Sequence, residues 1–533
     1  MLITLVVLIA EFTIAKADVA INAKNFPDSD FRTWVQKHFN KPNGAVLTDE
    51  ELASVKEISW NPAKGGFTSV ENLKGIEFFS ELETIEIWNQ RYRTHNNVSS
   101  VDLSKNKKLK KFAFSKSDYE PNFSSGKFPK KMPPEEKSTS TSDDTKYLRG
   151  VNLKDLPNLE TVIIDYHELT ELDLRGCPHL RTIKITHSHT RFSLLITDLC
   201  EELETLDISR NYFTELYLGL MPNLKSLNFS YNVITDVDLS PLKELETLCC
   251  RSNYYTSLDI SNNKKLKSLD CNDSKITALD CSQNDSLSSI NIESCKQLEV
   301  FPTLPSGIES INCDNVKAFA KVDLSAYPNL KELSAKVCEL RNFDATKMPK
   351  LESLDLRWNS IAALDLSCLK NLDFENTFLD QIFETSVIRN GSGMRVPMPK
   401  SFDLSKVYSY DFINESDRQN GVLYSEYFTD SDGAQQPSFV VNFLRTGSTV
   451  FNYQYRTGFY YTENGKQVEM LMSVNVYPTS YSSGVEELNT VKDVKNVLYF
   501  DLQGHESSSP FNGFNIEVTQ FSDGSSLSRK LVK

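Results

Sequence analysis

Between Thr161 and Ser353 a hydroxyl returns at nearly constant spacing, at Thr161, Thr182, Thr205, Ser226, Thr247, Ser268, Ser289, Ser310 and Ser353, with Glu332 taking one turn. Each stands directly before an apolar-x-apolar triplet, and the step is 21 residues, stretched once to 23 and once to 22. Self-similarity at a fixed period of roughly 20–50 residues means that each unit buries its apolar face against the next unit. Every unit carries its pattern twice: Ile234, Val237 and Leu239 in one half, Leu245, Leu248 and Cys250 in the other. Alternation at period two turns the apolar side chains inward and the residues between them outward. One unit therefore reads as one turn of a narrow right-handed coil.

Three residues after the last apolar position stands Asn, at Asn211, Asn232, Asn253 and Asn359, and in the other half at Asn106, Asn263 and Asn284. An amide there can satisfy backbone groups that the bend buries, so stacked turns should form an amide ladder. In the first half an acid recurs at Asp102, Asp173, Asp238, Asp259, Asp280, Asp323, Asp344 and Asp365. Carboxylates stacked about 4.8 Å apart repel unless each accepts local hydrogen bonds, which Asp heading a D-L-S-x-N turn does readily.

The outward positions of the second half vary from turn to turn once the hydroxyl column is passed. They carry Glu86 and Trp88, Asp207, Asn228, Arg251, Asp270, Asn272, Asn291, Glu293 and Arg357, the candidate ligand-binding residues. Aromatic and Arg side chains most often dominate interfaces, and Asn or Asp rows can pair with sugar hydroxyls or peptide amides. The face is expected to be polar and open to solvent. On that expectation Arg251 and Asp270 could be removed together at little cost to the melting temperature.

At 533 residues the chain exceeds one ordinary core. With 58 basic against 72 acidic side chains its formal charge is −14. It lacks a basic stripe with interleaved aromatics, which argues against nucleic acid and anionic membrane as partners. Residues 1–17, MLITLVVLIAEFTIAKA, read as a signal peptide, with an apolar run Leu2–Ala10 and Ala15-Lys16-Ala17 as cleavage site. That run is too short to span a bilayer, and no integral membrane segment is expected after its removal. All ten Cys lie between Cys177 and Cys368, and Cys250, Cys271, Cys281 and Cys313 hold inward positions. They are expected to be reduced core hydrophobes. Without a C-x-x-C or Cys/His spacing, neither metal nor cofactor is expected.

Residues 18–72 read as an N-terminal helical cap, with Phe31, Trp34, Val35 and Phe39 on one helical face and a second helix opened by Thr48 with Glu51 at its third position. The coil is assigned to 73–385, interrupted by a Pro, Ser and Lys rich insertion at 117–147. Residues 398–478 read as an immunoglobulin-like β-sandwich, with Asn464-Gly465 as a hairpin turn. A linker at 479–487 leads to a small all-β domain at 488–533, where Asp523-Gly524 marks another hairpin.

The segment INAKNFPDSDFRTWV…LTDEELASV…LKGIEFFSELETI, Ile21 to Ile85, resembles the cap that opens many surface leucine-rich repeat proteins of Gram-negative anaerobes. The middle resembles bacterial leucine-rich repeats with nested L-x-x-L-x-L halves. The last forty residues resemble the C-terminal sorting domain of type IX secretion substrates, in Tyr499, Asp501-Leu502-Gln503-Gly504, Pro510-Phe511, Gly513, Asn515-Ile516, Lys530 and Lys533. These resemblances imply an α/β-poor β-solenoid, a leucine-rich repeat coil of about 21-residue turns followed by a small β-sandwich and a small all-β C-terminal domain. They also imply the secretion machinery as a partner of the tail and the outer cell surface of a Gram-negative bacterium as destination.

Chemistry is sparse. No G-x-S-x-G, H-E-x-x-H or phosphate-cradling glycine loop occurs, and no catalytic residue is assigned. His167, His187 and His189, with Asp165 nearby, are the one cluster among seven His, and they read as rim residues, not metal ligands. The expectation is a non-enzymatic adhesin or receptor that binds a protein or glycan ligand. A surface enzyme using the repeats as an accessory region, or a purely structural surface protein, are the alternatives.

Overall fold

The computed structural model describes residues 19–60, 70–88, 98–115, 147–390, 393–413, 417–418, 422–430, 432–442, 451–481, 494–500, 506–507, 514–521 and 526–532. The signal peptide and nearly all of the 117–147 insertion lie outside them. Among the described residues no helix is long and apolar enough to cross a membrane.

After a short strand, Val19–Ala20, comes a helix, Ser29–Phe39, which starts where Asp28 accepts hydrogen bonds from the Asp30 and Phe31 amides and ends where Asn40 takes the left-handed conformation. A shorter helix, Asp49–Ser54, begins at the expected capping box of Thr48 and Glu51. The first helix buries Phe31 and Val35. Phe31 meets Trp60 edge-on at 5.7 Å and Phe26 at 5.8 Å, so aromatic rings seal the first turn of the coil. Gly75 is required here: its φ is +107°, and a Cβ would stand 2.4 Å from Cδ1 of Phe26.

Beyond the cap runs a parallel sheet of fourteen strands among the described residues, from Glu57–Trp60 through Thr84–Trp88, Lys111–Ser115, Thr161–His167 and Thr182–Ser188 to Ser353–Asp355 and Thr377–Phe378. Its first strand thus belongs to the segment read from sequence as cap, since Ile58 and Trp60 already alternate inward. The recurring hydroxyls pair in register, Thr205 with Ser226, Ser226 with Thr247, Thr247 with Ser268 and so on to Ser310 with Glu332 and Glu332 with Ser353. Behind them Leu206, Leu227, Leu248, Leu269, Ile290, Ile311, Leu333 and Leu354 form one buried row. Each such side chain contributes roughly 1.5–3 kcal/mol, so the stability of the coil accumulates turn by turn.

Both expected ladders are present. Asn253 donates through Nδ2 to the carbonyls of Phe229, 3.0 Å away in the preceding turn, and Cys250 at 3.2 Å, while its Oδ1 accepts from the Ile234 amide at 3.1 Å. Asp238, Asp259 and Asp280 each accept from the amide of the Ser two residues on, at 2.9 Å. Those serine hydrogen bonds hold their carboxyls below the ordinary range.

The ten cysteines are free, and nine are buried. Seven of them fall into two kinds. Cys250, Cys271, Cys281 and Cys313 fill the core as expected, whereas Cys177, Cys295 and Cys338 stand where the ladder Asn would be. Their thiols donate to the carbonyls of Leu153 at 3.2 Å, Cys271 at 3.3 Å and Cys313 at 3.1 Å, as an Asn amide does in other turns.

A separate all-β unit contains seven strands hydrogen-bonded in one order, led by Val407–Phe412 at one edge and ending with Val422–Thr429 at the other. It begins at Gln381–Asn390, earlier than composition suggests, and its two edge strands touch, so the sheet comes close to a barrel. Phe402, Phe439, Phe451 and Tyr453 pack inside it, with Phe439 stacked on Tyr453 at 5.2 Å. Asn464 and Gly465, at φ 50° and 76°, make the expected turn between Phe451–Glu463 and Lys466–Tyr481. The tail forms a four-stranded antiparallel sheet in which Phe514–Phe521 pairs with Ser526–Val532; the turn at Asp523-Gly524 lies outside the described residues.

Candidate functional site

The coil brings the candidate residues onto one sheet face in two rows. Asp207, Asn228, Asp270 and Asn291 share the middle row, since Asp207 pairs with Asn228, Asn228 with Cys249, Cys249 with Asp270 and Asp270 with Asn291. Glu86 lies farther along the same row. Arg251, Asn272, Glu293 and Arg357 stand two residues on, in the outer row to which Trp88 also belongs. The candidate residues thus form an extended surface spread over many turns.

The face is less open than its polarity suggests. Asp207 and Asp270 are only 7% and 5% exposed, and Trp88 only 8%. Strands about 4.8 Å apart let a longer neighbour cover a short side chain. Lys184 stands beside Asp207 in register, and Arg251 closes over Asp270 with Nε 3.6 Å from Oδ2. Burial pushes both carboxyls above the ordinary range, against the Ser209 hydrogen bonds and the Lys184 charge at Asp207 and against the Arg251 charge at Asp270. The Arg251–Asp270 pair is therefore covered within the sheet, less open to a ligand than the sequence-based expectation had it, and removing one partner alone would leave the other buried and uncompensated.

The other candidates are half-buried and engaged with neighbours. Glu86 accepts from Lys111 Nζ at 2.5 Å, Asn228 and Asn291 accept the amides of Ser230 and Glu293 at 3.1 Å, and Asn272 donates its amide to Asp270 at 3.3 Å. Glu293 accepts from Asn312 Nδ2 at 3.1 Å. Arg357 forks onto Asp355 at 3.0 and 2.6 Å and lies over the Phe378 ring at 4.5 Å.

Three features escape a reading by residue type. Lys184 lies on the face, and burial pulls its pKa down to about 8 against the attraction of Asp207. Lys336 bridges Asp314 at 2.7 Å and Asp355 at 3.7 Å, extending the charged outer row toward Arg357. Along the adjoining rim, a column of residues is left-handed: Tyr166, His187, Arg210, Tyr231, Ser252, Asp273, Ser294, Asn315, Val337 and Trp358, with φ between 51° and 62°. Non-glycine residues adopt that conformation only where the surroundings impose it. The signal was available, because in the turns with an Asn ladder this position directly precedes the Asn.

On this rim Tyr166 stacks on His187 at 4.6 Å, and the Arg210 guanidinium lies 4.5 Å over Tyr231. Nδ1 of His187 is 2.8 Å from Asp165. His167 is fully buried, and its Nδ1 accepts from the Leu169 amide at 3.1 Å. Burial holds its pKa at about 4. Among the described residues no group of three or more His, Cys, Asp or Glu side chains could hold a metal ion.

Residues 221–243 and 347–370 match the leucine-rich repeat family. Solved structures similar to the chain include the functional domain of InlJ from Listeria monocytogenes, which includes a cysteine ladder, at 19% identity, 87% of this chain, 99% of that one and a TM-score of 0.48. Another is the leucine-rich repeat domain of APL1B, at 17% identity, 57% of this chain, 74% of that one and a TM-score of 0.27. No curated protein matches the chain. With stacked turns and a continuous parallel sheet, the coil is a β-solenoid with little helix, and two of its segments match leucine-rich repeats.

Proposed function

We propose that the protein is a binding protein exported to the surface of a Gram-negative bacterium, where the parallel sheet and its rim engage a protein or glycan ligand without a catalytic step. One observation carries this reading. The turns share one geometry, so a column set by folding alone repeats, as the hydroxyl, amide and inward columns do. The outer row instead runs Arg251, Asn272, Glu293, Asp314, Lys336, Arg357, changing charge from turn to turn while the backbone geometry stays the same. Variation beside such monotony fits a surface shaped by what it contacts. The signal-like residues 1–17 and the sorting-type tail support export, with the secretion machinery as partner of the tail.

Binding of the purified chain to arrays of peptides and glycans, with hydrolysis of the same ligands followed in parallel, tests the reading. Asn272→Arg combined with Glu293→Lys should weaken capture of a bound ligand by about 2 kcal/mol, without turnover of any ligand. Undiminished binding by that variant moves the site off the face, and turnover favours the surface-enzyme alternative. For export, deletion of 494–533 should strand the chain in the periplasm; unchanged surface exposure would sink that part.

A further inference from the structure

Beside Arg251, Asn272 and Glu293 the rim has an open hollow of about 300 Å³, built by three successive turns. Ser252 and Tyr254 come from the first, Asp273 and Lys275 from the second, Lys296 and Gln297 from the third. Because the turns repeat every 21 residues, Ser252, Asp273 and Ser294 align as consecutive members of the left-handed column. The chain then leaves the sheet, so the side chains that follow project around a common hollow.

Lysines outnumber carboxylates in this hollow. Several lysines of the coil pair with a glutamate one turn away: Lys225 with Glu204 at 3.0 Å, Lys265 with Glu244 at 2.5 Å, Lys267 with Glu246 at 2.7 Å and Lys331 with Glu309 at 2.9 Å. Lys275 and Lys296 form no ion pair among the described residues. Lys275 instead lies over the Tyr254 ring, with Nζ 4.7 Å from its centroid. The single carboxylate in the hollow, Asp273, accepts a hydrogen bond from the Ser252 hydroxyl at 3.2 Å. Two lysines and one carboxylate therefore line the hollow, on a chain whose net charge is −14.

We propose that this pocket binds one anionic sugar ring, carrying a carboxylate or a sulfate, within a longer glycan chain. Lys275 and Lys296 take the anionic group, as ammonium ions do in charge-assisted hydrogen bonds. Asp273, Ser252 and Gln297 supply acceptors and donors for ring hydroxyls. Tyr254, 51% exposed, offers an aromatic surface to the apolar side of the ring. The volume lies at the lower end of ligand pockets, roughly 300–1,000 Å³, which suits one ring better than a peptide side chain with its backbone. This inference rests on the binding role proposed above and narrows its ligand.

Titration calorimetry on the full chain, using an oligouronate, a sulfated oligosaccharide, a neutral oligosaccharide and an oligoglutamate as probes, tests it. At least one anionic oligosaccharide should bind, and the neutral one and the oligoglutamate should not. Lys275→Gln with Lys296→Gln, and separately Tyr254→Ala, should each weaken that binding roughly tenfold or more. All three side chains are exposed, so an unchanged melting curve shows that the variants fold. Equal binding by the double variant, tight binding of the oligoglutamate, or no binding of either anionic oligosaccharide overturns the inference. If ligands from the array are still lost on changing Asn272 and Glu293 while the lysine variant binds normally, the pocket assignment alone has failed. If no array ligand binds, the broader reading has failed with it.

Discussion

Buried inside the coil, His167 has one ring nitrogen accepting the Leu169 amide, and its ring stands edge-on to Phe192 at 5.1 Å. Its pKa is pulled from 6.5 to about 4, chiefly by burial. As pH falls below 6.5 the unfolded chain takes up this proton while the folded chain does not, until pH nears 4. The stability His167 contributes is therefore complete above pH 6.5 and is lost as pH falls to about 4. His167→Gln, which keeps an acceptor for the amide but does not titrate, should gain up to about 3 kcal/mol on the parent between pH 7 and 4. Urea midpoints of both proteins at the two pH values read this directly, and a constant difference would show that His167 is not the source. Sequence pointed to this histidine as a rim residue because only packing against Phe192 marks it as internal. Asp270 was misjudged for a related reason: its outward position was legible, but the Arg251 side chain covering it was not.

At the scale of one turn, the unit that recurs is a pair of apolar triplets closed by a hydrogen-bonding side chain, and two chemistries serve as the closure. Asn253 uses donor and acceptor together, whereas Cys295 and Cys338 supply only a weak donor to the carbonyl behind them. Asn253→Ala leaves the Phe229 carbonyl and the Ile234 amide without this partner and should cost about 3 kcal/mol. Asn253→Cys keeps the donor and should lose about half as much, because the lost acceptor alone leaves one group unsatisfied. Chemical denaturation of the three proteins ranks them, and equal losses for Ala and Cys would show that the thiol does not substitute for the amide. The Asn spacing was visible in the sequence. That cysteine fills the same position emerged only with the thiol-to-carbonyl distances, since a buried Cys and a ladder Cys look alike by residue type.

The solenoid as a whole is held by contacts between neighbouring turns, so its length is adjustable in whole units. Deleting residues 247–267 removes one turn and brings the strand Ser226–Asn228 against Ser268–Asp270, which have the same inward and outward pattern. That protein should fold with the circular dichroism of the parent and a somewhat lower melting temperature. Deleting 247–256 alone puts inward and outward positions out of step and should abolish cooperative unfolding of the coil. Similar behaviour of the two deletions would contradict a repeat held by register.

Length of turn, inward rows, amide and carboxylate ladders, the capping box at Thr48 and the Asn464-Gly465 turn were all determined by the sequence alone, because each follows from local spacing or from a rule that repeats every turn. The extent of the candidate face was legible for the same reason. Tertiary structure decided the rest: which face residues are covered, that Lys184 meets Asp207 and Lys336 bridges two carboxylates, that the rim is left-handed in turn after turn, and that two lysines share a hollow with Tyr254. These depend on the distance and rotamers between side chains of adjacent turns, about 21 residues apart in the chain, and a pattern read along one strand carries no information about them.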